Sequence, residues 1–582
     1  MMKRIVLLLF GTMAFNSCSE DGMSAGNVPG DNEKPRFLAV GITNPSITSA
    51  RETLLSDDYE TGSGNEDKIN SLRFYFFDHN GDPARIGITG RKNYADCTKI
   101  TSEPESTQPN AEKRMQALVA VSAQDEQIAG IGSLVAIANH ETAALGTDAL
   151  SLGELCARIG EYDAAGEEDA ENTQTRLFPM TSSSYAGTDR QICTTTITPE
   201  HFCETEADAM KNPVTIYIER VVAKTRLKTA WNAENTTVTE GVAYNGRTYT
   251  AVKLKDAKGS AIKVGGKQVH AIFIGWNITG KADRSYLFKK VNTATAWQLG
   301  WVWNHPAQFR SYWATNPADV ALKHIAYNEI DTEFGENNAA YCLENAADDF
   351  DNGTKKSYDP DQEISNRTQA IIAAVLVTID ATNNAVPVDL ARWLGTDYTE
   401  EGAKATMLHL EASQIFTKEE GAAAKFVPIK PEHVEWVTGT EAGTADDKSE
   451  NSARYLSYLQ LTDEARSLQF YSDTTDDAAM TPEAVDEILK NLPGAKIWKN
   501  GMTYYYIELK HLGSDERKGL FGVVRNHLYD VNINSVVGLG TPVYDPDEKI
   551  VPQKPDNDET YIAAKVNVLS WRVANNDFDF EW

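Results

Sequence analysis

Apolar and polar residues alternate in many short runs along the chain, and this period of two is typical of β-strands with one buried face. The runs at 37–42 and 72–76 are clear examples, and polar segments rich in Ser, Thr, Asn, Asp and Gly separate such runs. The same pattern predicts further strands at 117–121, 133–138, 214–218, 249–254, 271–278, 370–378, 503–509 and 523–533. Short helices are predicted at 150–159, 390–394 and 482–492, the last with Thr481 as its N-cap and Pro482 at its first position.

These elements predict a mainly β fold with two β-sandwich domains that carry loop and short-helix insertions. The polar segment 207–213, which ends in a proline, predicts a boundary between an N-terminal domain at 52–212 and a C-terminal domain at 213–540. An acidic, proline-rich segment at 541–562 follows, and its composition predicts an extended or mobile linker.

The first residues have the layout of a bacterial export signal. Lys3 and Arg4 precede an apolar run at 5–10, and a stretch rich in small residues ends at Ser17 and Cys18. We therefore predict a lipoprotein signal peptide at 1–17 and a lipid, including palmitate, on Cys18. An ordinary secretory signal with a chance cysteine is the alternative. Residues 18–51 would then form a tether and the first strand.

The C-terminal segment 563–582 has strand periodicity with one change of phase. Its apolar positions are Val566, Val568, Leu569, Trp571, Val573, Phe578, Phe580 and Trp582. A terminal strand of this length either closes the edge of its own sheet or is given to a neighbouring molecule. Periodicity alone leaves both possibilities open.

Composition narrows the classes of function. The chain has 84 acidic and 55 basic residues among 582, a formal charge of −29 that repels phosphates, so nucleic acid is not an expected partner. Besides Cys18 there are five cysteines and no C-x-x-C pair, which argues against a zinc ribbon or a disulfide framework; they are Cys97, Cys156, Cys193, Cys203 and Cys342. Cys193 and Cys203 could bridge a hairpin in an oxidising compartment, and isolated buried thiols are the alternative.

Motifs for catalysis do not support an enzyme. His140 and Glu141 lack the second histidine of a zinc metalloprotease helix, and Gly265-Gly266-Lys267 lacks the glycine spacing and the Ser/Thr of a phosphate-binding loop. We therefore predict no catalytic, cofactor-binding or metal-binding residue. A tryptophan cluster is more typical of a sandwich core than of sugar stacking; it contains Trp297, Trp301 and Trp303.

Four short segments, in order along the chain, resemble one protein family. They are LVAIAN at 134–139, ERVVAK at 219–224, VRNHLY at 524–529 (Val524, Arg525, Asn526 and Tyr529 carry the pattern) and VNVLSWRV at 566–573. Together they resemble the FimA/Mfa fimbrillins of Bacteroidetes, the type V pilins, and are closest to the Mfa-type major fimbrial subunit.

This resemblance implies transthyretin-like β-sandwich domains that polymerise by donor-strand exchange. In such a family a trypsin-like protease removes the first strand of an exported lipoprotein, and the C-terminal strand of the next subunit fills the groove. Cleavage here would fall between Arg51 and Glu52, because Arg51 is the only basic residue at 44–67. Arg36 is the runner-up, but a cut there would leave the first strand attached.

The resulting prediction is a structural subunit of a cell-surface fimbrium, made as an outer-membrane lipoprotein and supporting adhesion and biofilm. Its expected partners are further copies in a head-to-tail polymer, accessory or anchor subunits, and the maturation protease. Two alternatives remain. One is a fimbrial tip or accessory adhesin, with a binding surface sought at 292–368. The other is a monomeric glycan-binding surface lipoprotein whose C-terminal strand folds back on its own domain.

Overall fold

The computed structural model describes most of the chain in segments. The described residues are 35–43, 66, 68–87, 90–97, 99–102, 114–140, 145–162, 167–169, 172–186, 191–231, 236–291, 314–345, 366–419, 425–442, 456–509, 511, 521–552, 561–569 and 573–574.

The N-terminal sandwich contains the first fourteen strands. These are β1 (Pro35–Thr43), β2 (Leu72–Phe77), β3 (Tyr94–Asp96), β4 (Lys99–Ser102), β5 (Arg114–Ser122), β6 (Ser133–Ala138), β7 (Ile159–Gly160), β8 (Glu167–Asp169), β9 (Asn172–Leu177), β10 (Met180–Ser182), β11 (Tyr185–Ala186), β12 (Gln191–Ile192), β13 (Thr195–Thr196) and β14 (Val214–Arg220). Its short helices are α1 (Asp125–Ala129), α2 (Leu152–Cys156) and α3 (Glu206–Ala209), with a 3-10 turn at Pro199–His201.

The main N-terminal sheet has the order β3-β2-β6-β10-β14-β1-β5-β4. Strand β14 changes partner along its length: residues 214–217 pair with β1, and residues 218–220 pair with β10. The β1–β5 half and the β2–β6 half face each other, because side chains from both halves meet in one buried cluster. That cluster includes Leu38, Val40, Val119, Phe74 and Phe76.

The C-terminal sandwich begins with twelve strands and ends with five more. These are β15 (Val222–Thr229), β16 (Val238–Tyr244), β17 (Arg247–Lys253), β18 (Lys263–Val264), β19 (Lys267–Gln268), β20 (His270–Thr279), β21 (Lys281–Ala282), β22 (Ser285–Tyr286), β23 (Leu322–Lys323), β24 (Ala339–Leu343), β25 (Gln369–Ile379), β26 (Ala385–Pro387), and later β36 (Met502–Glu508), β37 (Leu528–Val537), β38 (Thr541–Pro542), β39 (Tyr561–Leu569) and β40 (Val573–Ala574). One sheet has the order β24-β15-β37-β39-β40, and the facing sheet has the order β16-β17-β20-β25-β36-β38. Trp276 and Tyr529 are buried in the core between them.

A third unit interrupts the C-terminal sandwich between β26 and β36. Its elements are β27 (Leu390–Trp393), β28 (Thr396–Thr399), α4 (Glu400–Glu411), β29 (Phe416–Glu419), β30 (Lys425–Pro428), β31 (Val434–Thr438), α5 (Gly439–Ala442), β32 (Ser457–Leu461), β33 (Phe470–Tyr471), β34 (Ala479–Met480), α6 (Pro482–Lys490) and β35 (Lys496–Trp498). It has a hydrophobic core of its own, which includes Met407, Leu459, Phe470 and Leu489. We call residues 390–498 the inserted unit.

The mainly β prediction is confirmed. Each predicted strand matches an observed one within a few residues, although the last, at 523–533, begins five residues later, at Leu528. Helix α6 begins at Pro482, and the Thr481 side chain accepts a hydrogen bond from the Ala484 amide, as the capping pattern predicts. Within the described residues, no helix combines the length and the apolar character that crossing a membrane requires.

The boundary at 212/213 assigned β14 to the wrong sandwich. Residues 214–217 pair in parallel with β1, and residues 218–220 pair with β10, so β14 belongs to the N-terminal sheet. The backbone passes into the C-terminal sandwich at Val221, between β14 and β15. The polar segment 207–213 therefore precedes strand β14 of the same sandwich and is not a domain boundary.

The helix predicted at 390–394 is wrong, because residues 390–393 form strand β27 between β28 and β35. Leu394 and Gly395 form the turn to β28, both with positive φ. The linker prediction is wrong for the described residues 541–552. There, Thr541 and Pro542 pair with β36, and Val543 and Ile550 are buried against the outer face of the β20–β25–β36 sheet.

Gly501 gives a test of the junction between the inserted unit and the sandwich. It has φ +67°, and an added Cβ would lie 2.2 Å from the Leu376 carbonyl oxygen in the neighbouring strand. We expect Gly501→Ala to lower the free energy of unfolding by about 3 kcal/mol, from left-handed strain and a displaced strand together. Gly395→Ala is the control, since its φ is +77° but nothing lies within 4 Å; about 1 kcal/mol is expected. Equal losses in urea denaturation would contradict this account.

Candidate functional site

Strand β1 occupies a groove inside the N-terminal sheet. On one side, all nine of its residues pair antiparallel with β5, from Pro35 opposite Ser122 to Thr43 opposite Arg114. On the other side, residues 40–43 pair in parallel with residues 214–217 of β14. Before that point, the amide and carbonyl of Phe37 exchange 2.8 Å hydrogen bonds with Cys203. We call the space that β1 fills between β5 and β14 the β1 groove.

Both faces of β1 are covered. Leu38, Val40 and Ile42 point into the sandwich core and are at most 1% exposed. On the opposite face, Ala39 is fully buried against Leu118 and Ala209, which lies on helix α3. A segment that fills this groove must therefore supply apolar side chains at alternate positions and a small one between them.

The start of β1 carries two ion pairs at the surface. The Arg36 guanidinium lies 2.8 Å from a carboxylate oxygen of Asp125 and 3.1 Å from one of Glu204. Both carboxylates are largely exposed, so these pairs add little to stability. The buried side chains and the two paired edges hold β1 in place.

The chain beyond β1 is fixed again at Glu66. The Glu66 carboxylate lies 2.8 Å from the Lys224 ammonium and accepts a 2.5 Å hydrogen bond from the Tyr341 hydroxyl. Burial opposes ionisation of Glu66, but Lys224 and Tyr341 outweigh it and hold its pKa below the usual value. Residues on both sides of 44–65 are therefore anchored, and a cut between them would separate β1 covalently from the part of the chain that Glu66 holds.

Several predicted site residues lie outside the described residues. These are the lipidation site Cys18, the processing site Arg51 and Glu52, and the donor positions Trp571, Phe578, Phe580 and Trp582. The tryptophans at 297, 301 and 303 and most of the insertion at 292–368 are outside them as well. Their assignments stay predictions.

The other donor positions lie in strands of the chain's own C-terminal sheet. Val566, Val568 and Leu569 belong to β39, which pairs antiparallel with β37; Val566 is opposite Val531, and Val568 is opposite Tyr529. Val573 lies in β40, opposite Leu569. The described part of the tail therefore lies at the edge of its own sheet, the first of the two possibilities that periodicity left open.

The motifs at 219–224 and 524–529 come together where the two sandwiches meet. The Asn526 side chain accepts hydrogen bonds from the backbone amide and the guanidinium of Arg220, at 3.3 and 3.1 Å. The Asn526 amide donates to the Val222 carbonyl at 2.7 Å, and Asn526 has φ +61°, a conformation that asparagine tolerates. We call the contacts of residues 219–224, 285–289 and 523–527 the interdomain joint.

Buried charges tie the joint across the two sandwiches. The Lys289 ammonium lies 3.1 Å from a carboxylate oxygen of Glu219, and neither side chain is exposed. Burial lowers the pKa of Lys289, and Glu219 and Glu344 oppose that shift. The Arg525 guanidinium pairs with Glu344 and donates to the carbonyls of Tyr286 and Leu287.

Strand pairing and packing reinforce this joint. The short strand β7 pairs with β22, which brings Ile159 opposite Tyr286. Leu287 and Phe288 of the C-terminal sandwich are buried against Tyr75 and Leu155 of the N-terminal one. The two sandwiches therefore share a hydrophobic core at the joint as well as ion pairs.

Sequence reasoning missed three members of this arrangement: Glu66, Lys289 and Glu344. Each is a charged residue in a stretch without strand periodicity, and its partner is distant along the chain or contributed by another sheet. The signal in the sequence was the pair of family-like segments at 219–224 and 524–529, which hold Arg220, Lys224 and Arg525. Among the described residues, no group of three His, Cys, Asp or Glu side chains is placed to hold a metal ion.

The positions of the cysteines differ from the Cys193–Cys203 hairpin bridge that the sequence left open. Cys193 lies beside Cys156, with 3.7 Å between the two sulfurs. Cys203 belongs to the separate cluster around Ala39 and lies close to the His201 carbonyl. A Cys193–Cys203 bridge is therefore wrong for this fold.

Glu66 gives a pH-dependent test of the joint. We expect Glu66→Gln to lower the free energy of unfolding by about 3 kcal/mol at pH 7, because the buried Lys224 ammonium loses its counter-charge. The folded pKa of Glu66 is lowered, so its contribution is present above the unfolded value of 4.5 and is lost as pH falls through the folded value. In urea denaturation, the difference from wild type should stay constant at pH 5 to 7 and narrow below that.

Glu204→Gln is the matched control, since it removes the exposed partner of Arg36 and should change stability by less than about 1 kcal/mol. A Glu66→Gln difference that does not narrow in acid would contradict the assigned ion pair.

Known proteins resemble this chain in two ways. Residues 496–577, from β35 to just beyond β40, match the family model for the C-terminal region of fimbrillin, the major fimbrial subunit protein type IV. No curated protein sequence matches the chain. Among solved structures, a fimbrillin (FimA) from Porphyromonas gingivalis is 13% identical, covering 93% of this chain and 98% of its own, with a TM-score of 0.33.

The tip fimbrial protein Mfa3 from Porphyromonas gingivalis, with a C-terminal truncation, is 10% identical, covering 92% and 100%, with a TM-score of 0.29. A fimbrial assembly protein from Parabacteroides distasonis is 9% identical, covering 74% and 98%, with a TM-score of 0.26. The family match includes the motif around Arg525 and the strand at 566–573, two of the four segments on which the resemblance was drawn. Residues 496–577 are therefore similar to the C-terminal region of fimbrillins, and the resemblance to this family is confirmed.

Proposed function

We propose that this protein is a structural subunit of a cell-surface fimbrium that polymerises by exchanging β1 for the C-terminal strand of another copy. The observation that carries the proposal is the position of β1, which is paired on both edges and buried on both faces inside its sheet. The fimbrium would support adhesion and biofilm. Accessory and anchor subunits would complete it, and the Mfa-type major subunit is the branch we assign.

Maturation would begin with a lipoprotein precursor held at the outer membrane through Cys18. A trypsin-like protease would then cut between Arg51 and Glu52, in the segment between β1 and the anchored Glu66. The cut would free residues 18–51, including the lipid and β1, while Glu66 keeps the rest of the chain on the interdomain joint. The β1 groove would then be available.

An empty β1 groove would be a strong receptor for a strand. It would expose unpaired backbone groups on β5 and β14 and an apolar floor that includes Val119 and Ile216. In a groove nine residues long, the tail would place Leu569, Trp571 and Val573 where β1 places Leu38, Val40 and Ile42. At about 1.5–3 kcal/mol for each side chain buried, these three residues would contribute a gross hydrophobic term of about 4.5–9 kcal/mol, before ordering is subtracted.

The contact would join two different surfaces, the groove of one copy and the tail of the next. Such heterologous contacts do not need to close into a ring, so they propagate into a fibre. This geometry supports a head-to-tail polymer of the same chain.

A tip or accessory adhesin is the second candidate, and the inserted unit favours it. Residues 390–498 form a unit with its own core, placed outside both sheets of the sandwich, and assembly by strand exchange does not require it. Immunogold labelling would separate the two candidates: label along the fibre supports a shaft subunit, and label at fibre ends alone supports a tip adhesin.

The first test is the formation of boiling-resistant ladders on SDS gels of surface material. We expect the full chain to form a ladder with Glu52 as the mature N-terminus by mass spectrometry. A chain truncated after Thr560, or one carrying Arg51→Ala, should remain monomeric. A chain that keeps lipid on Cys18 and is monomeric in every case would support the glycan-binding lipoprotein, in which β39 stays on β37.

The groove also selects a register for the incoming strand. If the donor runs in the same direction as β1, a small residue must take the place of the buried Ala39. The tail offers Ser570 at that position, which places Leu569 and Trp571 where Leu38 and Val40 lie. The competing register places Ala563 there instead.

We expect Ser570→Trp to abolish the ladder, because the bulky ring would clash with Leu118 and helix α3. Ala563→Trp is the matched control and should leave the ladder intact. The reverse result would show that the segment near Ala563 enters the groove.

A further inference from the structure

A pair of cysteines lies inside the interdomain core. The sulfurs of Cys156 and Cys193 are 3.7 Å apart, within the cluster where Leu287 and Phe288 of the C-terminal sandwich pack on the N-terminal one. Cys156 ends helix α2, and Cys193 directly follows β12. The two residues are far apart in sequence, so the fold and not a local turn brings them together.

We infer that Cys156 and Cys193 are joined by a disulfide in the exported protein. Sulfurs at this separation need only small side-chain rotations to reach bonding distance. The inference rests on the proposed export for its oxidising compartment, since disulfides persist outside the cytosol. It does not depend on strand exchange.

The surroundings assign a role to each thiol. Cys156 is partly exposed, whereas Cys193 is buried. The hydrogen bond from the Cys193 thiol lowers the pKa of Cys156, against the effect of burial, while that contact and burial raise the pKa of Cys193. Cys156 is therefore the thiol that attacks first, because the thiolate is the nucleophile and this sulfur can be reached.

The oxidant is a protein disulfide of the dithiol oxidoreductase class. The Cys156 thiolate attacks one sulfur of that disulfide, forms a mixed disulfide and releases the other sulfur as a thiolate. Cys193 then loses its proton and attacks the Cys156 sulfur, which releases the second oxidant thiolate. Two protons and two electrons leave the chain, and the oxidant becomes a dithiol.

The bond would close a loop that contributes directly to the joint. Residues 157–192 include β7, whose pairing with β22 crosses between the sandwiches, and β10, which pairs with β14. Joining both ends of this loop would lower the conformational entropy of the unfolded chain. It would also keep β7 beside Ser285 and Tyr286. The disulfide would therefore secure the joint against separation of the two sandwiches.

The test uses the full chain recovered from the cell surface, with free thiols alkylated before unfolding and again after it. We expect alkylation of Cys97, Cys203 and Cys342 alone, two alkyl groups fewer than on a chain reduced before alkylation, and one crosslinked peptide pair that contains Cys156 and Cys193. Reductant should lower the Tm of the wild-type protein by several degrees. It should have no such effect on Cys156→Ser, whereas Cys97→Ser, the control, should behave like wild type.

The purified full chain, oxidised with glutathione disulfide, gives a second measurement that needs no variant and no polymer. Formation of the Cys156–Cys193 crosslink in the folded chain supports the inference. Alkylation of both thiols in surface protein, or a crosslink of Cys193 to Cys203, overturns it. A ladder-forming protein with both thiols free would reject the disulfide and leave the proposed function intact.

Discussion

The N-terminal sandwich requires a strand between β5 and β14, because the backbone groups along their facing edges must form hydrogen bonds. Their backbone amides and carbonyls lie inside a sandwich, where an unpaired polar group is unfavourable. Strand β1 satisfies both edges and also places Leu38 and Val40 in the core. The N-terminal sandwich is therefore complete only with a strand in this groove, although the groove's partner does not have to belong to the same chain.

A strand that leaves its sheet must not loosen the rest of the subunit, and the interdomain joint meets that requirement. Glu66 fixes the chain just beyond the β1 loop, through Lys224 and Tyr341 of the C-terminal sandwich. Breaking a buried ion pair is strongly destabilising because it leaves an uncompensated charge. Glu219 with Lys289, and Arg220 with Asn526, therefore join the two sandwiches through contacts that do not involve β1.

The sequence predicts those features that are local. Alternating strands such as β6, and the capped start of α6, follow from short-range patterns. Helix α4, whose amphipathic pattern is weak, was not predicted from the sequence. Leu390 is a strand residue because it pairs with Thr399 of β28 and Trp498 of β35, which the local sequence does not show. The joint needed the fold, since Glu66 and Tyr341 are 275 residues apart. The β1 groove is intermediate: the sequence predicts β1, β5 and β14 as strands, but it does not predict that β5 and β14 pair with β1.

The two positions available to the tail differ in the number of edges that they satisfy. On its own domain, β39 has β37 along one edge, and among the described residues the two-residue β40 pairs with the other. In the β1 groove, the same segment would have β5 along one whole edge and residues 203 and 214–217 along the other. In the groove, the tail would therefore pair with a strand along both edges. Because β1 occupies that groove, exchange would require β1 to leave it first, and the proposed proteolysis would control when the groove becomes available.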